Sequence, residues 1–272
     1  MRVSELWVYP VKSCRGVRVV EAKVGPTGFQ YDREWMIVDE KGLFVSQRKD
    51  PILATIRPYV NGDCLFLCVG ESRDPILEVP VNGTHQDRGQ RVTIHTDAEV
   101  MGKDQGDEAA RVLSGVVGRR VRLVKKDWAF PRFSRGGERV ETAFSDGYPF
   151  LVTTTASLHE LNERLDSPVR MNRFRPNIVV NGTRDPFEED QWGHFTVGSV
   201  TFAGKTRCTR CPIVTTDQFT GARSSEPTRT LLTYRVFPGS KHPCFGLYAD
   251  HFEGDTIRVG DEIVVHSTRA SS

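Results

Sequence analysis

A β-dominated α+β protein in two parts is what this sequence predicts, and three observations predict it. Short β-branched or aromatic runs recur along most of the chain, each followed by a Gly, Pro, Asn or Asp turn, which is the pattern of a barrel or sandwich. Helical periodicity surfaces at convincing length only twice, near residues 107 and 157. The length, 272 residues, is long for one small domain and comfortable for two, with enough chain to bury a core without disulfide staples.

The elements follow in order. Residues 3–10 form a partly alternating strand, and 11–16 (V-K-S-C-R-G) a polar loop after it. Residues 17–24 alternate again before the turn Pro26-Thr27-Gly28. Residues 35–38 (W-M-I-V) read as a short buried strand, and Asp39-Glu40-Lys41-Gly42 as a hairpin turn into a second arm at 43–45. Two more strands are expected at 65–69 and 91–94, on either side of a segment rich in Pro, Asn and Gly. A helix begins at Asp107, an acidic cap, with Ala109, Val112, Leu113 and Val116 on one face, and Gly118 stops it. Residues 121–124 return to a strand. A polar, Gly-containing connection at 134–139 marks the change of domain, so the expected division is 1–125 and 126–272. The second part opens with a strand at 149–154. Its helix starts near Ser157, is apolar at Leu158, Leu161 and Leu165, and closes on Asp166-Ser167-Pro168. A strand leaves the Arg175-Pro176 corner, a hairpin spans 195–202, a short helix or strand lies at 231–235, and 256–265 reads as two strands around Gly260-Asp261.

Charge is nearly balanced, 37 Lys+Arg against 35 Asp+Glu, which excludes a wholesale nucleic-acid binder and leaves any anion preference to local clusters. No stretch approaches the roughly 18 consecutive apolar residues of a membrane helix, so no transmembrane segment is expected. The N-terminus lacks the layout of a signal peptide, and the six cysteines are too scattered for a secreted disulfide scaffold. A reducing, cytoplasmic setting is expected, with mitochondrial association if a targeting segment has been removed.

The densest chemistry lies at 207–221, R-C-T-R-C-P-I-V-T-T-D-Q-F-T-G. Its C-x-x-C has several readings. A structural zinc site needs four ligands, and the other close pair, Cys64 and Cys68, sits in an apolar strand pattern that looks like core. A thioredoxin-like pair opens a helix, whereas Pro212 and Ile213-Val214-Thr215-Thr216 favour an extended chain. Two buried thiols without a role are the plain alternative. The remaining reading is a single thiolate ligand, activated by Arg207 and Arg210. In an extended segment, residues three apart face opposite sides, so Cys208 and Cys211 are not expected to reach the same ion. Zinc, copper or a thiol-liking redox metal would all suit such a ligand. Cys14 reads as loop packing and His159 as a solvent-facing helix residue. No histidine pair has ligand spacing, and nothing supports a nucleophile elbow.

Residues 207–221 resemble the cysteine motif of the MOSC family, the molybdenum-cofactor sulfurase C-terminal domains. Four other stretches, L-W-V-Y-P-V-K-S-C (6–14), D-R-E-W (32–35), N-R-F-R-P-N (172–177) and F-G-L-Y (245–248), resemble the amidoxime-reducing components and their bacterial relatives. They occur in the family's order over nearly the whole chain. The resemblance implies an N-terminal MOSC-type β-barrel domain packed on a MOSC β-barrel domain. It implies that the second cysteine, Cys211, ligates molybdenum carried on molybdopterin, a pterin dithiolene with a phosphate. Lys12 and Ser13 match the phosphate-side pair, and Arg33 and Arg175 match two cofactor-contacting arginines. This suits their chemistry, because Arg offers a planar fork for phosphate or pterin edges and Lys a point charge. Asp146, Asn177, Thr209, Arg210 and Tyr248 fall on further cofactor-side positions, Thr209 where serine is common.

The implied activity is a molybdenum-dependent, two-electron reduction of N-hydroxylated small molecules (amidoximes, hydroxylamines, N-oxides) by removal of an oxygen atom. No cysteine follows Cys244, so electrons are expected from a separate protein, either a b-type cytochrome with its flavin reductase or a ferredoxin-like donor. The alternatives are a sulfur carrier or cofactor-binding and transfer protein without reductase activity, and a non-catalytic binding protein on the same barrel.

Overall fold

The computed structural model describes residues 1–82, 89–95, 97–133 and 140–269. The chain runs through β1 (Arg2–Val8), β2 (Val17–Val19), β3 (Glu21–Gly25), β4 (Gly28–Phe29) and β5 (Trp35–Asp39). It continues through β6 (Ile56–Asn61), β7 (Cys64–Val69), β8 (Leu77–Pro80), β9 (Gly89–Ile94), β10 (Asp97–Asp104), α1 (Asp107–Val117) and β11 (Val121–Lys126). Then come β12 (Phe150–Thr154), α2 (Thr155–Glu163), β13 (Ile178–Asn181), β14 (His194–Val197) and β15 (Val200–Thr209). The last elements are α3 (Thr228–Leu232), β16 (Cys244–Glu253), β17 (Thr256–Arg258) and β18 (Ile263–Val265).

An eight-stranded sheet has the order β18-β14-β15-β16-β12-β13-β1-β2, and a four-stranded sheet the order β5-β11-β10-β9. Two three-stranded sheets, β17-β3-β4 and β6-β7-β8, complete the β-dominated fold. The first strand of the chain thus lies beside β13, with Leu6 opposite Ile178. That pairing brings the loop after β1 next to the N-terminal end of β13 and so helps to build the site. One core gathers Phe29, Phe150, Trp192, Phe195 and Phe202 beneath the large sheet. A second gathers Trp35, Leu53, Leu65, Leu67, Leu113 and Leu123.

Most expected elements are present. Helix α1 buries Ala109 and Leu113 and ends at Gly118, whose φ of 78° is the left-handed stop that glycine supplies; Gly106, not Asp107, takes its cap position. Helix α2 starts two residues early, capped by Thr154, whose Oγ1 accepts from Ser157 N at 3.1 Å.

Other expectations need correction. Residues 43–45 form only isolated bridges, Phe44 with Val38 and Leu43 with Thr93. The run 17–24 breaks at Val20 because its halves have different partners, β2 pairing with β1 and β3 with β17. The strands of 256–265 both exist but turn away from each other, β17 to β3 and β18 to β14. Strands β4, β6, β8 and β10 are additional; β6 contains Pro58, and β10 reads D-A-E-V-M-G-K-D without clean alternation. The extended exit expected after Cys211 is instead a 3₁₀ turn, Pro212–Thr215. Proline at the first position favours such a turn, its φ being already helical. Thr215 Oγ1 donates to Pro212 O at 2.8 Å, and Ile213, Val214 and Thr215 are all buried. The expected connection at 134–139 lies outside the described residues.

Candidate functional site

A cavity of ≈ 500 Å³ opens where β15 ends and the loop after β1 approaches β13. Lys12, Ser13, Arg33, Asp146, Arg175, Asn177, Thr209, Arg210, Cys211 and Tyr248, all singled out from the sequence, line it together.

One wall is cationic and built on left-handed backbone. Ser13, Arg33 and Arg175 have φ values of 64°, 53° and 57°. Each such residue costs on the order of 1–3 kcal/mol, a strain that collects where function demands a particular side-chain direction. The turns are pinned by backbone bonds from Lys12 N to Trp35 O (2.7 Å) and Arg33 N to Tyr9 O (2.8 Å). Arg33 donates to the Asp32 carboxylate, to Asn177 Oδ1 at 3.0 Å and to Arg175 O at 3.3 Å. Arg175 donates to the Cys14 carbonyl at 2.6 Å. Both guanidinium carbons lie 4.3 Å from the centre of the Tyr9 ring, so one buried phenol supports two cations. Burial pushes Arg175 down to about 10, which leaves it charged at neutral pH.

Lys12 is buried and donates to Phe144 O at 2.7 Å and to Asp146. Burial lowers its ammonium to about 8 against the pull of Asp146. Burial would by itself raise Asp146, but Lys12 and then His95 hold its carboxyl well below the usual range. His95 Nε2 stands 3.0 Å from Asp146 Oδ1, and its Nδ1 is 3.4 Å from Arg48 Nη1. The Phe44 ring lies 5.3 Å from Lys12 Nζ and 4.8 Å from the His95 ring centre. His95 and Arg48 line the cavity and were not foreseen, because S-Q-R-K-D and I-H-T read as ordinary surface.

The other wall carries the thiols. Cys208 is buried near the end of β15 and accepts hydrogen bonds from Arg210 Nη1 at 2.8 Å and from the Tyr248 hydroxyl. Burial pushes the Cys208 thiol up despite both donors, so the expected arginine activation fails at this cysteine. Arg210 is held by Phe174 O at 2.6 Å and Pro243 O at 2.8 Å. Arg207 bonds to Asp190 instead, at 3.0 Å. Cys211 caps the 3₁₀ turn and is partly exposed. Both thiols border the same cavity, because the strand stops at Thr209 and the alternation of faces stops with it.

Among the described residues no cluster of three or more His, Cys, Asp or Glu side chains is placed to hold a metal. Cys14 is buried in the core and His159 is exposed, both as expected. Six cationic side chains line the cavity, namely Lys12, Arg33, Arg48, Arg175, Arg207 and Arg210, against one carboxylate, Asp146. Ser145 Oγ, Arg48 Nε and Arg210 Nε are buried there without a protein partner. Orphaned polar atoms in a cation-lined cavity fit an anionic organic group, and Cys211 presents a partly exposed thiol beside it.

The chain matches the MOSC N-terminal beta barrel domain over residues 1–120 and the MOSC domain over residues 139–264. It is 36% identical over 279 residues to mitochondrial amidoxime-reducing component 1 of Mus musculus, covering 96% of this chain and 81% of that protein. The Homo sapiens component 1 is 34% identical, covering 96% and 82%. The molybdenum cofactor sulfurase of Danio rerio is 30% identical over 271 residues, which is 92% of this chain but 32% of the sulfurase. With both domains matched, and the amidoxime-reducing relatives alike over most of their own length, the chain belongs to the MOSC-domain family.

Proposed function

We propose that this protein holds a molybdenum–molybdopterin cofactor in the cavity and reduces N-hydroxylated small molecules such as amidoximes. The observation that supports this most is the convergence of one accessible thiol, Cys211, with six cations and three orphaned polar atoms in a single cavity. The names of the mouse and human relatives suggest the substrate class. Hydroxylamines and N-oxides present the same N–O bond.

Cys211 would ligate the metal. Lys12, Ser13, Arg33 and Arg175 would hold the phosphate and pterin edge, with Asp146, Asn177, Thr209, Arg210 and Tyr248 orienting the remainder. When bound, the group supplies the two-electron chemistry that removes an oxygen from nitrogen. The residues prepare the place for it. Asp32 and Asn177 fix the Arg33 fork before any ligand arrives. Tyr248, its hydroxyl pushed far up by burial, stays protonated and donates to Cys208, which leaves Cys211 as the thiol presented to the cavity. The balance is R–NHOH + 2 e⁻ + 2 H⁺ → R–NH₂ + H₂O, with protons from solvent and electrons from a separate donor protein. A b-type cytochrome with its flavin reductase, or a ferredoxin-like protein, would serve. The proposed division at 125/126 would put the cavity at a domain junction, with Lys12, Ser13 and Arg33 on one side and Arg175 and Cys211 on the other.

No helix among the described residues is long and apolar enough to cross a membrane. Six free cysteines suit a reducing compartment, either cytoplasm or mitochondrion. The sulfurase likeness favours a second reading, in which Cys211 carries sulfur or passes the cofactor onward.

The deciding experiment assays molybdenum and pterin per chain, then offers benzamidoxime with a chemical reductant. Stoichiometric cofactor and benzamidine formation are expected. Persulfide on Cys211 without metal supports the carrier, and loaded protein that leaves benzamidoxime untouched ends the reductase reading. Metal should be lost in Cys211→Ser and retained in Cys208→Ser; the reverse result overturns the ligand assignment.

A further inference from the structure

Two chain segments far apart in sequence meet at the cavity, and one buried amide pair joins them. The anion-side loop contains Ser13, and the thiol-side turn runs from its cap Cys211 to Thr216. Gln47 and Gln218 are both buried between them. Gln47 Nε2 donates to Ser13 O at 2.7 Å and to Gln218 Oε1 at 3.2 Å. Gln218 Nε2 donates back to Gln47 Oε1 at 3.0 Å and onward to Thr216 O at 3.0 Å. All four amide N–H bonds and both amide oxygens are engaged. Turning either side chain over would set oxygen against a carbonyl oxygen, so the pair has one arrangement.

Neighbouring contacts hold the same segments. Arg223 donates to Gln47 O, and the Arg15 guanidinium lies 3.9 Å from the Phe219 ring centre. Gly221 has a φ of 73° and passes Pro51 so closely that a Cβ would stand 3.0 Å from its carbonyl oxygen. That explains the glycine closing the cysteine motif.

Burying two amides is favourable only when every donor and acceptor is matched. An apolar pair could fill the same space, but apolar contacts slide. Two planar amides locked by reciprocal hydrogen bonds define the span from the Ser13 carbonyl to the Thr216 carbonyl. We infer that the Gln47–Gln218 pair sets the spacing between the anion loop and the Cys211 turn, so that one ligand anchored at the first reaches the thiol of the second. This rests on the reading that a single cofactor spans both walls. Neither glutamine lines the cavity, so both are positioning residues.

The test uses the full chain with Gln47→Met, Gln218→Met and the double variant, and thermal melts establish that each folds. Pterin and molybdenum per chain are measured after gel filtration. The alkylation rate of Cys211 by iodoacetamide is measured in cofactor-free protein, in a Cys64→Ser background that removes the other partly exposed thiol. Each single variant is expected to lose about tenfold in cofactor retention and to gain about tenfold in alkylation rate, the scale of one or two buried hydrogen bonds. The double variant should be no worse than the worse single one, since either change breaks the same chain of bonds. Gln218→Glu adds a readout that a merely structural role would not move. A protonated glutamic acid restores one donor and an ionised one restores none, so its retention should rise as pH falls, beyond any change seen in Gln218→Met. Unchanged retention and alkylation in both single variants, or additive effects in the double, overturn the inference. If wild-type protein holds no pterin, the functional reading fails by itself. The alkylation arm then decides, acceleration supporting the pair as a spacer and unchanged rates sinking it.

Discussion

Two pairs of arginines flank the cavity, and each pair shares one aromatic ring, but only one of them shares an aspartate. Arg207 and Arg235 both donate to Asp190 Oδ2, at 3.0 and 2.6 Å, and lie 4.0 and 4.9 Å from the Phe237 ring centre. Arg33 and Arg175 both stack on Tyr9, but only Arg33 reaches a carboxylate, that of Asp32. Arg175 forms no ion pair among the described residues and is fastened by a carbonyl. A carbonyl fixes a guanidinium without neutralising it. Each pair thus sets two charges against one carboxylate, but in the first both guanidiniums are tied to it, with Arg235 behind the cavity and Arg207 on its wall, whereas in the second Arg175 is left for whatever enters. Composition and spacing make the four arginines look alike. Their partners assign them different work.

The largest expected effect would come from removing the aspartate that the first pair shares. Asp190→Asn leaves two guanidiniums in a mostly buried setting without their counter-charge, and urea denaturation should show a loss of about 3–5 kcal/mol. A much smaller loss would mean that the two pairs do not differ as described.

Arg175→Lys attacks the binding pair. It should weaken cofactor binding by about 1.5–3 kcal/mol, since an ammonium cannot reproduce the stacked, forked contact, and pterin retention is the measurement. Melting temperature should move little. A variant that loses stability but keeps pterin would reverse the contrast.

Lys12 sharpens the comparison through pH. Its ammonium, lowered to about 8 by burial, loses its proton in the native state before an unfolded lysine does. Cofactor retention should fall as pH rises through about 8. Conformational stability from this group should move the other way, rising between its native value and the ordinary 10.5, because the unfolded chain there binds more protons. Asp146 contributes with the same sign in the acid range, its support present above the ordinary carboxylate value and lost as pH falls through its lowered one. Lys12→Arg should abolish the alkaline loss of retention, and a loss that persists would place it elsewhere.

The smallest effect is expected at Ser13→Gly. Relief of a left-handed serine should raise stability by about 1 kcal/mol in a thermal melt, with retention changed less than in Arg175→Lys. A destabilised variant would show that the serine side chain contributes more than its backbone costs.

Much of the fold was legible where local chemistry decides it. Gly118 ends α1 because glycine reaches φ 78° without penalty, and the apolar faces of α1 and α2 point inward as their periodicity requires. Strands β6 and β10 escaped notice because their hydrogen-bond partners, not their own residues, make them strands. The exit from Cys211 misled for a related reason. Its β-branched residues suit an extended chain, yet burial of Ile213, Val214 and Thr215 and the fixed φ of Pro212 favour the turn. Of the site, the motif residues could be read, whereas Arg48, His95 and Gln47 carry no local mark.

By itself the sequence determined the inventory: β-rich parts, helix stops, a soft thiol and clusters of cations in the order of a known family. Tertiary structure alone decided which of those cations remain available. Neutralising a charge depends on what lies within a few ångströms, and for Arg235 that partner is 45 residues away in the chain. The pairing of β1 with β13 brings Lys12 and Ser13 beside the Arg175–Asn177 corner, and the pairing of Gln47 with Gln218 fastens the Ser13 loop to the Cys211 turn. Contacts of that range leave no periodicity in the chain to be read.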